Sequence, residues 1–256
     1  MNEKTAQFSL RGLFQPRDLT EGTPWKTILA FALPIIISYL LQQVYTISDA
    51  AIVGQTLTAG EVAGVNDTTS IIFIFLQFAF GVSAGFCVVT AAEVGAHHEA
   101  GVRRSLAAQI LLSAALTVLL TGLALLLLKP MLAWINVTPE SPEVYRAAHT
   151  YCAIIFAGIG AQLFYNFICS FLRSMGDSVT PLLFLLFSTI LNIGLDLLFI
   201  VSFHWGVAGA AIATVAAQLI STVGCFLYAF IKYPKLRLHR EDWLVTVLFM
   251  LLKFGM

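Results

Sequence analysis

The chain has 256 residues, of which 59% are hydrophobic and only 11% are charged, and its formal net charge is zero. Soluble domains carry about 25% charged residues, and a soluble fold of this size could not hide so much apolar surface from water. The composition therefore excludes an ordinary soluble domain and predicts an integral membrane protein, and the balanced charge gives no indication of a nucleic-acid partner.

Along the chain, a polar segment comes first and six apolar stretches follow. The apolar run that begins at Ile28 is too long for a cleaved signal peptide. Each stretch can span a bilayer, which takes about 20 residues of helix, and none shows the alternation typical of strands. We predict an all-α membrane bundle with six transmembrane helices, near residues 27–55, 68–93, 105–128, 145–170, 180–203 and 206–230.

Basic residues are concentrated in alternate connecting segments. They precede the first helix, separate helices two and three, separate helices four and five, and follow helix six: Lys4, Arg11, Arg17, Lys26, Arg103, Arg104, Arg173, Lys232, Lys235, Arg237 and Arg240. The opposite loops carry only Lys129 and Arg146. Because cytoplasmic loops are enriched in Lys and Arg, we expect the amino terminus and the segment after helix six to be cytoplasmic.

Two acidic residues fall inside the predicted helices, Asp49 in the first and Asp196 in the fifth. Charged groups are costly inside a membrane and usually face an interior cavity. At about 1.5 Å of rise per residue, both lie roughly 10 Å below the outer ends of their helices, and Thr214 lies roughly 12 Å below the start of helix six. The three side chains therefore share one level in the outer half of the bundle.

Helical spacing places further polar residues in stripes that include these three. The stripes contain Ser38, Gln42, Tyr45 and Asp49 on helix one, Gln162 and Asn166 on helix four, Ser188, Asn192 and Asp196 on helix five, and Thr214, Gln218 and Ser221 on helix six. In lipid, a polar stripe should face another helix or water. One interpretation is interhelical hydrogen bonding without transport. We favour the other, in which two carboxylates, an amide and a hydroxyl bind Na⁺ or share a proton.

Elsewhere the polar motifs favour structural roles. His97, His98 and Glu99 are interpreted as part of a solvated loop and not as a metal site. In the turn before helix five, Gly176 permits a positive φ and Asp177 can cap the helix. The sequence has no nucleophile paired with a base, no phosphate-binding loop and no metal-ligand cluster, so we expect neither an enzyme nor a bound cofactor.

Four blocks of sequence resemble the multidrug and toxic compound extrusion (MATE) family in order and spacing. They are LPIIISYLLQQVYTISDAAIVG at residues 33–54, RSMGDSVTP at 173–181, LNIGLDLLFI at 191–200 and WGVAGAAIATVAAQ at 205–218. The resemblance runs from about Trp25 to the end of the chain, and the four blocks are specific only in combination.

The resemblance implies a twelve-helix secondary transporter in which two six-helix lobes face a central cavity. Members of the family export organic cations and other toxic compounds in exchange for H⁺ or Na⁺. The resemblance to prokaryotic members implies that this chain lies in the inner (plasma) membrane. Their cation site in the amino-terminal lobe matches Asp49, Asn192, Asp196 and Thr214 here. The implied partners are a small organic cation, membrane lipid and a second six-helix lobe, and the only implied bound ion is H⁺ or Na⁺.

The chain has about half the family's length, and its last residues weakly repeat an early segment. LLKFGM at 251–256 resembles ILAFALP at 28–34, and each follows a tryptophan, Trp243 or Trp25. We therefore expect a cytoplasmic amino-terminal segment at 1–25, a six-helix lobe at 26–231, and a linker with the start of a second lobe at 232–256. On this interpretation the chain is a fragment or must associate with a second lobe.

Two rival functions remain open from the sequence. A related flippase that moves lipid-linked precursors would need a cavity tolerant of long acyl chains and would not depend on Asp196. A non-transporting membrane module, either a truncated remnant or an assembly partner, would insert normally and carry no flux.

Overall fold

The computed structural model describes residues 23–234, 238–239 and 242. These residues form helices and contain no strand. The helices are α1 (Pro24–Thr56), α2 (Ala59–Gly95), α3 (Glu99–Trp134), α4 (Pro142–Ala157), α5 (Ile159–Ser174), α6 (Val179–Asp196), a π-helix (Leu197–Ser202) that continues α6, and α7 (Gly206–Lys232). Residues 1–22 of the predicted amino-terminal segment and the weak repeat at 251–256 lie outside the described residues, whereas Pro24 and Trp25, which the prediction assigns to that segment, already belong to α1.

Among the described residues, five spans are long and apolar enough to cross a membrane, namely α1, α2, α3, α6 with its π-helix, and α7. Taken together as one bent span, α4 and α5 meet the same criterion and make a sixth; they meet at an angle of 46°. The predicted six-helix membrane bundle is therefore confirmed. The single continuous helix predicted near residues 145–170 is wrong, because the chain breaks at Gly158.

The second helix begins nine residues earlier than predicted, because a local cap starts it before the apolar run. The Glu61 amide donates to the Thr58 hydroxyl at 3.2 Å, and the Thr58 amide donates to the Glu61 carboxylate at 3.1 Å. This reciprocal capping box satisfies two amides that have no partner within the helix. Asp67 therefore lies in α2, which corrects the interpretation that only Asp49 and Asp196 are helical acids.

The helices pack around α2, which contacts both α4 and α5, while α7 contacts α4, α5 and α6. At Gly64 of α2 a side chain is impossible, since a Cβ would lie 2.6 Å from the Val144 carbonyl oxygen of α4. The first helix is different: it packs mainly on α6 and is the least buried of the spans. Large apolar side chains on the outer surface, such as Val118 and Leu126, are exposed as expected for contact with lipid.

The α2–α3 turn, the end of α5 and the end of α7 lie together at one end of the bundle, where their residues line one cavity of about 420 Å³. We call it the basic end, because Arg103, Arg104, Arg173 and Lys232 lie there. The side chain of Arg103 donates at 3.3 Å to the carboxylate of Asp242, so the segment after α7 returns to the α2–α3 turn.

At the basic end, Asp177 is 2% exposed and joins the start of α6 to the end of α7. Its Oδ2 accepts from Lys232 Nζ at 2.7 Å and from the Tyr233 hydroxyl at 3.1 Å. The Thr180 amide donates to Asp177 Oδ1 at 3.0 Å, and the Thr180 hydroxyl donates to Oδ2 at 2.7 Å. The neighbouring Gly176 has φ +82°, as predicted for this turn. Burial alone would raise the pKa of Asp177, but hydrogen bonds from Lys232 and Thr180 outweigh burial and hold that pKa below its ordinary value.

Candidate cation-binding site

The packing of α1 on α6 brings the two predicted carboxyl groups together. Asp196 is the last α-helical residue of α6 and is fully buried. Asp49, seven residues before the end of α1, lies directly against it and is partly buried, with its Oδ1 atom inaccessible. Two residues that are far apart in sequence therefore present their side chains to one small volume inside the bundle.

Four more residues, two of them from other helices, complete this volume. Asn192 lies one turn before Asp196 on the same face of α6 and is fully buried. Thr214 of α7 lies beside the hydroxyl of Tyr45, which itself is close to both carboxyl groups. Tyr151 of α4 is also within electrostatic reach of both. We call these six residues the carboxylate pocket: Tyr45, Asp49, Tyr151, Asn192, Asp196 and Thr214.

The carboxylate pocket concentrates polar atoms that lack hydrogen bonds. Within the part of the chain that the structure describes, neither oxygen of Asp196 has a hydrogen-bond partner, nor does either amide atom of Asn192. The same is true of Asp49 Oδ1 and Thr214 Oγ1. Buried polar atoms in proteins are nearly always hydrogen-bonded, so a group of exceptions in one place indicates a site that binds something.

The electrostatics of the pocket define what it can bind. Among the described residues, no lysine, arginine or histidine forms an ion pair with Asp49 or Asp196. Two adjacent ionised carboxylates with no cation would be very costly out of water. A proton shared by the pair, or a cation held by carboxylate, amide and hydroxyl oxygens, removes that cost. The arrangement is chemically suited to exchange between these two occupants.

The helix changes form at the pocket itself. After Asp196 the chain continues as a π-helix, in which the Phe203 amide donates to the Leu198 carbonyl five residues earlier, at 2.9 Å. Such widened turns frequently occur at functional sites. The sequence of this segment, LLFIVS, is apolar up to its last residue, Ser202, so hydropathy could not distinguish it from an ordinary turn of α-helix.

The other predicted cavity-lining residues do not converge on the pocket. The Ser38 hydroxyl is buried and donates to its own helix, at the Pro34 carbonyl, over 2.8 Å. Gln42 is exposed on α1. On α5, Gln162 donates to Asn166 at 3.5 Å, and both side chains are half-buried. Ser188 and Gln218 lie one turn beyond Asn192 and Thr214, and Gln218 has an amide nitrogen without a partner among the described residues.

Sequence reasoning missed Tyr151 as a pocket residue, and spacing gave no usable signal. Tyr151 precedes Gln162 by eleven positions, but the helix breaks between them at Gly158, so the spacing does not give a shared face. Asp67 was missed for another reason, since its segment was assigned to a loop. It is exposed on α2 next to Asn66 and near Ser70, both also exposed.

Comparison with known proteins gives consistent relatives. Residues 34–198 match the sequence profile of the MatE family. The chain is 32% identical over 227 residues to the probable multidrug resistance protein YpnP of Bacillus subtilis, covering 86% of this chain and 48% of that protein. It is 28% identical over 227 residues to the probable multidrug resistance protein YoeA of the same organism, covering 87% of this chain and 47% of that protein.

Comparison of the fold with solved structures points to the same family. A solved structure described as an outward-facing conformation of a multidrug resistance MATE family transporter superposes with a TM-score of 0.79 at 25% identity. The superposition covers 87% of this chain and 49% of that one. The chain thus spans about half the length of the relatives it matches, and its bundle corresponds to one lobe of a two-lobe fold.

Proposed function

The chain belongs to the MatE family, and we propose that it forms the amino-terminal half of a cation-coupled multidrug efflux transporter. Its substrate is a small organic cation, and the ion that moves in exchange is H⁺ or Na⁺. The second half of the transporter is a further six-helix lobe. The observation that carries the proposal is the carboxylate pocket, which pairs two buried acids without a neighbouring cation among the described residues.

Coupling follows from what occupies the pocket. With a proton or Na⁺ bound, Asp49 and Asp196 can lie side by side, and α1 can stay against α6. Without a bound proton or Na⁺ the two carboxylates repel each other. We expect α1 to move in response, because it is the least buried span. An occupant that binds one arrangement better than the other shifts the equilibrium between them. That difference in affinity provides the free energy that links ion movement to substrate export.

We propose that the basic end faces the cytoplasm, as the loop charges predict. This orientation can be tested by single-cysteine labelling in a background that lacks the four native cysteines. A membrane-impermeant maleimide added from outside should label Ser141→Cys and leave Pro234→Cys unlabelled, and both positions are exposed in the structure. Labelling of Pro234→Cys alone from outside would reverse the orientation, and equal labelling of both would contradict the helix count.

The proposed function can be tested with a chimera of residues 1–256 followed by the carboxyl-terminal half of YpnP. In a bacterial strain without its own efflux pumps, the chimera should lower ethidium accumulation when a proton or Na⁺ gradient is present. This chain alone and the YpnP half alone should each stay at the background of the host, and intact YpnP serves as the positive control. A folded, membrane-inserted chimera that exports nothing under either gradient would contradict the proposal, and so would export by this chain alone.

A further inference from the structure

The break in the fourth span is stabilised by hydrogen bonds from neighbouring helices. At the break the Ala161 amide donates to the Gly158 carbonyl at 2.9 Å, a shorter turn than the α-helical one. Neighbouring helices satisfy carbonyls on both sides of it. The Thr121 hydroxyl of α3 donates to the Phe156 carbonyl at 3.3 Å. The Thr222 hydroxyl of α7 shares its proton between the Ala161 carbonyl at 3.1 Å and the Gln218 carbonyl of its own helix at 2.7 Å. In membranes a broken helix persists only where such partners exist.

At the break, α4 and α7 approach more closely than any side chain would allow. A Cβ at Gly158 would overlap both γ-methyl carbons of Val215 and lie 3.0 Å from its Cβ. Val215 is β-branched and therefore stiff, so it cannot rotate both methyl groups away. Glycine at position 158 is thus required for α4 and α7 to meet at this level.

This contact lies next to the carboxylate pocket in both helices. Val215 directly follows Thr214, and Gly158 lies two turns after Tyr151. Because the backbone of a helix is stiff, a displacement of α7 at Val215 would also displace Thr214 from its place beside Tyr45.

We propose that Gly158 is a positioning residue: by lacking a side chain it seats Val215 against α4 and so fixes Thr214 in the carboxylate pocket. The inference rests on the proposed function, since it concerns the cation affinity of that pocket. It predicts that the close packing of Gly158 on Val215 determines how tightly the driving cation binds, although Gly158 itself touches no ion.

The test uses the chimera with YpnP, reconstituted in liposomes, and measures ethidium export against the concentration of the driving cation, H⁺ or Na⁺. Gly158→Ala should raise the concentration for half-maximal export about tenfold, because overpacking moves one ligand of the site. Gly158→Ala/Val215→Gly should return it to within about twofold of the unaltered protein, since removing the whole side chain, whose Cβ lies 3.0 Å from the added methyl, makes room for that methyl. Gly122→Ala is the matched control and should change nothing, because among the described residues no atom outside its own helix turn lies within 4 Å of the would-be Cβ.

The inference is wrong if Gly158→Ala has the same cation dependence as Gly122→Ala, or if Val215→Gly fails to restore it in a folded double variant. If Gly158→Ala alone does not fold, the double variant decides, and a folded double variant with altered cation dependence overturns the inference. Asp196→Asn separates this from the proposed function. Where Asp196→Asn stops export and Gly158→Ala has no effect, only the positioning role fails; where Asp196→Asn has no effect, the proposed site fails.

Discussion

Asp196→Asn is expected to abolish cation-coupled export while leaving the bundle folded. The substitution keeps the volume of a fully buried side chain and removes its capacity to carry charge. A neutral amide at this position cannot repel Asp49 when the pocket is empty, so the two arrangements of α1 would no longer differ in their affinity for a cation. Asp49→Asn should have the same effect, because the switch needs both carboxylates.

The neutral ligands should matter less. Asn192→Ala and Thr214→Ala each remove one uncharged oxygen ligand, so we expect weaker cation binding with export retained at higher ion concentration. The measurement is drug-resistance complementation by the YpnP chimera, with expression levels matched. Glu140→Gln, which removes an exposed carboxylate from a loop, is the control for loss of one negative charge.

The result that would contradict the site is equally clear. If both aspartate variants confer full resistance across the near-neutral pH range, with and without Na⁺, the carboxylate pocket is not the coupling site. The polar stripes would then be explained by hydrogen bonding between helices, the alternative that the sequence left open.

Asp177→Ala is expected to destabilise the bundle strongly without touching the carboxylate pocket. The variant removes four hydrogen bonds at the basic end, from Lys232, Tyr233 and twice from Thr180. Removing one partner of a fully buried ion pair typically costs roughly 3–5 kcal/mol of the free energy of unfolding, and the loss here should be smaller because Lys232 is 20% exposed. Denaturant titration of the purified protein in detergent micelles would measure that loss.

A double variant separates the charge from the packing at this position. A double-mutant cycle of Asp177→Ala, Lys232→Met and Asp177→Ala/Lys232→Met should give a favourable coupling free energy between the two side chains, which form an ion pair at 2.7 Å. Equal unfolding free energies for the unaltered protein and Asp177→Ala would show that the network contributes nothing. Additive losses in the double variant would show that the ion pair is not the reason.

The pH dependence of this contribution has a definite sign. The folded-state pKa of Asp177 is lower than its ordinary value of about 4, so the folded state favours the ionised form. The stabilisation is fully present above the unfolded pKa and is lost as the pH falls through the lower folded pKa. The difference in stability between the unaltered protein and Asp177→Ala should therefore be constant near neutral pH and shrink only in strong acid.

Apolar runs were sufficient to predict six spans, because lipid requires them whatever the tertiary contacts are. The same runs could not predict the break at Gly158, since Ala157 and Ile159 on either side are as apolar as the rest of the span. The break depends on partners from other helices, Thr121, Thr222 and Val215. Hydropathy reports the solvent of a segment and contains no information on such contacts.

Some residues of the candidate site could be predicted from the sequence and others could not. Asp49, Asn192, Asp196 and Thr214 could be selected from sequence, because a carboxylate in an apolar helix is unusual and helical spacing gives its face. Tyr151 was missed, since a tyrosine in a membrane helix is common and only the packing of α4 against the pocket distinguishes this one. Asp67 was missed because the Thr58 cap, a local hydrogen-bond pattern, and not hydropathy, determines where α2 begins.

The packing of α1 on α6 also determines the order in which the bundle can be assembled. The first helix leaves the ribosome long before α6, and α2 to α5 must be synthesised between them. Until α6 arrives, Asp49 resides in the bilayer without the helix it packs against. On insertion scales an acidic side chain costs about 3 kcal/mol at the centre of a spanning helix, and the cost is smaller at Asp49, seven residues from the end of α1. We therefore expect the first span to insert before its packing partner exists and to reach its final position only after the fifth span, α6, has inserted.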